Sequence, residues 1–397
     1  MNSKFIRLFF GSSSRSIFVS IVNLATTVLV VRWFGASAYA NYIVDLSLIG
    51  ILLIIIEVVP SNYSVFRIQD DSKWQEVMVL QTGITAFLAA GIVSVVGLLS
   101  QQIQEYSAWM AVYAGSLSIK RYLDIRLQSS GRLQEYMNVE VMTSLARVML
   151  MAVLFISNAT AVTSIWASLA LGGILAQVYF LASNRGELVG GSKYFTGANV
   201  RRLVGGFQDY KPYYMGIVLK RLKDNLVPIV SEKVFSSKDT LAAFFLAYRG
   251  VIFAAGQIRI MEAILNHRDN LKRFMDVPLL YKASVAMLGQ LVCIVSSVVI
   301  LLLSGEDELP WKATLLLSFM MWPIVFLVLE RTKAYSSFQA RAINWSMVGY
   351  VAMLLVGSAI LMSFETVMIE TFSVILVISE IVSLMLILFL RSDKGYV

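Results

Sequence analysis

Long apolar runs alternate with short polar connections along almost the whole chain. An apolar run of about 20 residues crosses the hydrocarbon core of a bilayer when it is helical. The pattern predicts spans at 16–34, 39–59, 74–99, 109–127, 141–157, 162–181, 213–234, 241–264, 279–303, 313–329, 345–362 and 367–390, about twelve in all. Pro60 stops the second span, and Lys120, Arg121, Asp124 and Arg126 crowd the end of the fourth. In the first span Ser16, Ser20, Asn23 and Thr27 form a polar stripe at helical spacing, suited either to a helix–helix contact or to a cavity lining. A long polar stretch divides the chain near its midpoint. The expected organisation is an N-terminal six-helix bundle over 1–181, a basic connector over 182–210 and a C-terminal six-helix bundle over 211–397.

The seventh span breaks the apolar rule. Lys220, Arg221, Lys223 and Asp224 lie in or near its middle. At about 100° per residue, Tyr213, Gly216, Lys220, Lys223, Asp224, Val227 and Ser231 share one side. Met215, Leu219, Leu222, Leu226 and Ile229 share the opposite side. A charge at the bilayer centre costs roughly 2.5–3.5 kcal/mol on insertion scales, so several on one helix must face water, protein or an anion. The seventh span is therefore read as the wall of a polar cavity.

Composition agrees with a membrane protein and narrows the chemistry. Of 397 residues 58% are apolar and 15% charged, and the mean hydropathy is +0.73. The connections are too short for a folded domain outside the membrane. The single cysteine, Cys293, lies in an apolar run, and the single histidine, His267, lies in a basic loop without neighbouring ligand residues, so no metal chemistry is expected. The start of the chain, through Phe10, reads as an uncleaved cytoplasmic lead-in. Lys and Arg concentrate in alternate loops, whereas the other loops are neutral or acidic. This asymmetry places both termini in the cytoplasm and accounts for the net charge of +8 as a topology signal, with no nucleic-acid footprint.

A weak repeat links the halves. The turn FGASAYANYIVDL pairs with FSSKDTLAAFFLAY, aligning Phe34 with Phe235, Ala40 with Ala242 and Tyr42 with Phe244. Paired repeats of this kind are common in transporters with a substrate site between the halves. At these residues the chain resembles the O-antigen and polysaccharide flippases of the multidrug/oligosaccharidyl-lipid/polysaccharide superfamily. The resemblance rests on Arg32, Phe34-Gly35 and Tyr39-Ala40 in the first turn and on Lys220-Arg221-Leu222-Lys223-Asp224 followed by Phe235 to Tyr248. Phe34 and Ala40 depart from the family's leucine and glycine, and the second turn has no glycine.

The resemblance implies an all-α integral membrane protein, two pseudo-symmetric six-helix bundles around a cationic central cavity. It implies a flippase of the bacterial inner membrane that carries an undecaprenyl-pyrophosphate-linked oligosaccharide by alternating access, with no catalytic role, and with a polysaccharide polymerase and chain-length proteins as further partners. Cationic side chains suit such a cargo, because Lys and Arg make charge-assisted hydrogen bonds to phosphate and carboxylate oxygens.

The residues expected to touch cargo are Lys220, Arg221, Lys223, Arg249 and Arg147; the bland alternatives are mutual neutralisation of Lys220 and Asp224 and snorkelling of Arg147. Asp224, Glu380 and Asp45 are candidates for coupling to a proton or sodium gradient, and no other cofactor is expected. Glu57 reads as a solvated interfacial acid, and Arg259 with Glu262 as a structural pair. Two rivals remain. A multidrug exporter of the same superfamily would be expected to prefer an acidic, aromatic cavity for cationic drugs. A membrane enzyme of polysaccharide assembly would need a sizeable outer loop or, for acyl transfer, a histidine within a span.

Overall fold

The computed structural model describes residues 3–52, 59, 61–99, 104–157, 160–183, 196–265, 279–304, 310–337, 339–364 and 366–392. Among the described residues fifteen α-helices and one 3-10 turn make up the regular structure. They are α1 (Ser3–Phe34), α2 (Ala36–Leu52), α3 (Ser61–Asp70), α4 (Trp74–Leu99), α5 (Ser107–Ser129), α6 (Leu133–Ile156), α7 (Ala161–Ser183), α8 (Gly197–Gly205), α9 (Phe207–Val234), α10 (Lys238–Leu265), α11 (Leu279–Ser304), α12 (Trp311–Ser318), α13 (Met321–Ser336), α14 (Ala340–Leu361) and α15 (Ile369–Ser392).

Helices are what a lipid environment demands, since each closes its own backbone hydrogen bonds. Among the described residues eight segments are long and apolar enough to cross a membrane: those beginning at Ile17, Trp74, Gln134, Lys238, Lys282, Trp311, Ala340 and Ile369. Many of their largest apolar side chains point outward, with Phe87 80% and Ile156 78% exposed, which suits a surface solvated by lipid tails. The chain is an all-α, multi-pass membrane protein. Helices α5 and α9 also lie where spans are predicted, but their charges keep them out of that set. The described part of α2, cut at Leu52, is shorter than a full span.

Local sequence sets the breaks. Gly35 adopts φ 89° between α1 and α2, and its N–H donates to Val31 O at 2.8 Å. This is the left-handed C-terminal turn that glycine makes without penalty. Gly131, at φ 71°, does the same between α5 and α6, where the Arg132 N–H reaches Leu127 O at 2.9 Å. The predicted span 313–329 is interrupted between α12 and α13. Pro323 has no N–H for Phe319 O, and its ring clashes with that carbonyl, so the helix breaks at Phe319-Met320. The second helix then runs on to Ser336, so Arg331 and Lys333 are helical residues, where the sequence reading places them in a loop.

The chain forms two compact units, one of Met1–Asn23 with Leu52–Tyr214 and the other of Leu24–Ile51 with Met215–Val397. In the first, α4 packs on α5, α6 on α7 and α5 on α7. Trp166 is fully buried there between Tyr113, at 5.8 Å, and Tyr106, stacked at 6.4 Å.

In the second unit, α14 packs on α15, α10 on α11 and α11 on α13. The N-terminal segment is seated there by specific contacts. A Cβ at Gly50 would stand 2.0 Å from Asn225 Oδ1, so the missing side chain on α2 makes room for Asn225 of α9. Arg32 Nε donates to Leu303 O at 2.6 Å, and Lys238 Nζ to Asn41 Oδ1 at 2.6 Å. Both copies of the repeated turn therefore lie in this unit. Its apolar centre includes Phe235, Phe244 and Phe372, with ring centroids 5.2–5.6 Å apart.

Candidate functional site

The charged helix α9 carries the site. Pro228 lies within it and has no N–H for Asp224 O, so the helix loses one internal hydrogen bond beside its charged turn. Asn225 Nδ2 donates to Arg221 O at 2.8 Å, and the Ser231 hydroxyl to Pro228 O at 2.9 Å. Lys223 and Asp224 follow Arg221 on that turn, Lys223 pointing inward and Asp224 exposed. Lys220 lies on the same helix, but its side chain is outside the described residues.

Lys223 meets Glu380 of α15. The ammonium lies 2.6 Å from a carboxylate oxygen, and the two side chains retain only 11% and 3% exposure. The same ammonium lies 4.5 Å from the centroid of the buried Tyr350 ring on α14, within cation–π range. Close by, Arg331 of α13 donates to Ser383 Oγ at 2.8 Å and to Ser346 Oγ at 3.3 Å. The two serines are 2.8 Å apart, and Ser383 Oγ also donates to Ser346 O at 2.7 Å. Arg331 is near enough to oppose the Lys223 charge, and Asp224 near enough to favour it. Four helices thus bring together two bases, two acids, a tyrosine and two hydroxyls. Taking a charge out of water costs several kcal/mol per ion, so each base here needs an acid or a ring of hydroxyls.

The sequence reading counts three bases against one acid on α9; Glu380, 157 residues away in sequence, supplies a second acid. Lys223 and Glu380, expected in different roles, form one ion pair. Arg221 is half-buried on the same helix. Arg249 of α10 is half-buried elsewhere in this unit, within electrostatic reach of the buried Tyr39 hydroxyl, which also hydrogen bonds Thr27. Asp45 is half-buried on α2.

Arg147 belongs to the first unit. A Cβ at Gly172 would stand 2.6 Å from Arg147 Cγ and 2.9 Å from its backbone nitrogen, so the missing side chain on α7 makes room for the arginine. Nearby in sequence, Lys120 bridges Asp124 at 2.9 Å and Glu140 of α6 at 2.5 Å. Of the charges that crowd the end of α5, Lys120 is thus held by a partner on the next helix. Glu57 and His267, with the side chains of Arg259 and Glu262, lie outside the described residues.

Sequence reasoning missed Arg331, Tyr350, Ser346 and Ser383. A signal was present in the last span, where Glu380 and Ser383 lie three residues apart on one helical face. No comparable signal marked Arg331, which reads as a cytoplasmic base until α13 is seen to continue past it.

Solved transporters share this architecture over nearly the whole chain. A multidrug resistance MATE family transporter of the MOP superfamily, in an outward-facing conformation, matches with TM-score 0.69 at 13% identity, covering 98% of this chain and 94% of its own. The Vibrio cholerae MATE transporter VcmN, in a mutant form, matches with TM-score 0.70 at 12% identity over 99% of this chain and 98% of its own. The chain has the MATE fold. A MOP superfamily transporter from Pyrococcus furiosus, whose structure is described as having a binding pocket of reversed polarity that suggests a different function, has TM-score 0.70 at 12% identity over 98% of this chain and 94% of its own. No protein-family model and no curated protein matches the sequence. At these identities the likeness shows the fold.

Proposed function

We propose that this chain is a solute transporter of the multidrug/oligosaccharidyl-lipid/polysaccharide superfamily that exposes its cargo site alternately to the two faces of a membrane. One observation supports the reading above others: the MATE fold extends over 98–99% of the chain, at TM-scores of 0.69–0.70. On this reading the chain has no catalytic role, and it resides in a bacterial cytoplasmic membrane with both termini inside.

Two cargo classes compete. Multidrug export is the cargo reading that the solved relatives favour, since one is described as a multidrug resistance transporter. The balanced charges around Lys223 fit it too, because a lysine already paired with a buried carboxylate is a weak partner for a pyrophosphate. Translocation of an undecaprenyl-pyrophosphate-linked oligosaccharide is the second reading. It draws support from the half-buried arginines Arg221, Arg249 and Arg147 within the helices and from the reversed pocket polarity described for the Pyrococcus furiosus transporter. On either reading Glu380, Asp224 and Asp45 are the acids through which a proton or sodium gradient would act.

The test is expression in two bacterial hosts, one stripped of its own drug exporters and one lacking its polysaccharide flippase. Export predicts raised resistance to cationic dyes and drugs in the first host. Restoration of surface polysaccharide in the second, without drug resistance, would reassign the cargo to the lipid-linked oligosaccharide. Neither effect at verified membrane expression would count against the transporter reading itself.

A further inference from the structure

Helix α8 is unlike the others. It is short, ends at Gly205, and keeps its apolar residues Val200 and Val204 on the outside, 44% and 68% exposed, one helical turn apart. Arg201 is exposed next to the valines around the helix and Arg202 on the opposite flank, about 160° from each valine at 100° per residue, and their side chains make no ion pair among the described residues. The helix is firmly placed. Thr196 caps it, its side chain accepting from the Asn199 N–H at 3.2 Å. The buried Asn199 Nδ2 donates to Glu76 Oε2 at 3.3 Å, and the Tyr210 hydroxyl donates to Leu203 O. Gly206 rests on the Trp74 ring, where a Cβ would come within 3.2 Å of it.

Glu76 and Trp74 form the first turn of α4, and Trp74 opens one of the membrane-crossing segments. These contacts therefore hold α8 at the level where a span meets water. Trp74, Tyr63 and Tyr210 cluster there, all buried, with ring centroids 6.3–6.5 Å apart, and form the packed base on which α8 rests. Around α8, the acids Asp70, Asp71, Glu76 and Asp209 stand against the bases Arg67, Lys73 and Lys211, so the net positive charge of the patch comes from Arg201 and Arg202.

We infer that α8 is a docking site for the anionic headgroups of the membrane that the protein spans, with Val200 and Val204 entering the headgroup–acyl boundary and Arg201 and Arg202 binding phosphate. Exposed valines at this depth are solvated by lipid, and flanking guanidiniums gain where the surface is negative. Arginine suits the role, because its fork bonds phosphate oxygens two at a time.

The test uses the full-length protein with an environment-sensitive fluorophore on Val204→Cys; the native Cys293 is fully buried. The protein is reconstituted in vesicles of phosphatidylcholine alone or with added phosphatidylglycerol. Emission should shift to the blue and become shielded from aqueous iodide when phosphatidylglycerol is present. Arg201→Gln with Arg202→Gln should abolish that response, and Arg201→Lys with Arg202→Lys should retain most of it. A label on Ala198→Cys, on the other flank of the helix, should respond far less. The same emission in both lipids, or a response untouched by the glutamine pair, would overturn the inference. Free phosphate at millimolar concentration should leave the phosphatidylcholine sample unchanged; a response to it would assign the site to a soluble anion.

Discussion

Lys223 and Glu380, on helices far apart in sequence, form a buried ion pair at 2.6 Å. A pair of this kind is kept at a cost in desolvation, and its arithmetic is asymmetric. Removing one partner strands the other charge, whereas replacing both by apolar residues removes the cost and the gain together. Lys223→Met or Glu380→Leu alone should each destabilise the protein by roughly 3–5 kcal/mol, and the double variant should recover most of the loss. Thermal unfolding in detergent gives the comparison. A double variant as unstable as the sum of the singles would show that the two residues act independently.

Gly50 and Gly250 test two kinds of crowding. Gly50→Ala drives a methyl into the Asn225 side chain at 2.0 Å, and Asn225→Ala should relieve it. Gly250→Ala meets Ser297 Oγ at 1.9 Å but also the Cys293 carbonyl at 2.7 Å, which no side-chain change can move. Both single variants should unfold earlier, and only the first should be rescued by a second substitution.

Lys120 holds two acids, Asp124 at 2.9 Å and Glu140 at 2.5 Å. Its removal leaves two carboxylates facing each other, while loss of either acid leaves a simple pair. Lys120→Met should therefore lower the unfolding temperature more than Asp124→Asn or Glu140→Gln. Equal losses in all three would contradict the bridging role.

Much of this architecture is legible in the sequence, and the exceptions have physical reasons. Apolar length and the loop bases place the helices because a bilayer permits little else. The end of α5 and the middle of α9 carry charges that a span should exclude, and partners on other helices meet two of them, Glu140 for Lys120 and Glu380 for Lys223. A partner 157 residues away leaves no local spacing to find. Arg331 is hidden for a related reason: Pro323 shifts the start of α13, and the helix carries the arginine back to Ser346 and Ser383. Helix α8 is also hidden, because nine residues inside a polar connector are too short to stand out as a span, although Val200, Leu203 and Val204 recur at helical spacing. Function is the least legible feature, because one fold can host different functions through a few side chains.

Burial pushes the Tyr210 hydroxyl up to about 12 from its ordinary value of 10.0, with Tyr63 adding to the effect. A raised folded value means that the neutral phenol contributes stability that is fully present below pH 10.0 and lost as the pH rises towards about 12. The Tyr63–Trp74–Tyr210 cluster should therefore stay intact through neutral and mildly alkaline solution and loosen in that window. Phenolate absorbance (a general property of ionised tyrosine, roughly 10 being its usual midpoint) reports it: Tyr210→Phe should remove a component that titrates near about 12. An unchanged titration curve would contradict the assignment.

Whether the protein moves a solute is measured directly as gradient-driven transport by purified protein in proteoliposomes. A fluorescent cationic drug and a short-chain lipid-pyrophosphate oligosaccharide are each supplied under an imposed proton or sodium gradient. The account predicts gradient-dependent movement of one of the two by the wild type. It also predicts loss of coupling in Glu380→Gln paired with Lys223→Met, where the buried charge is absent but the balance is kept. Movement of neither solute under either gradient, by protein shown to be folded and inserted, would contradict it.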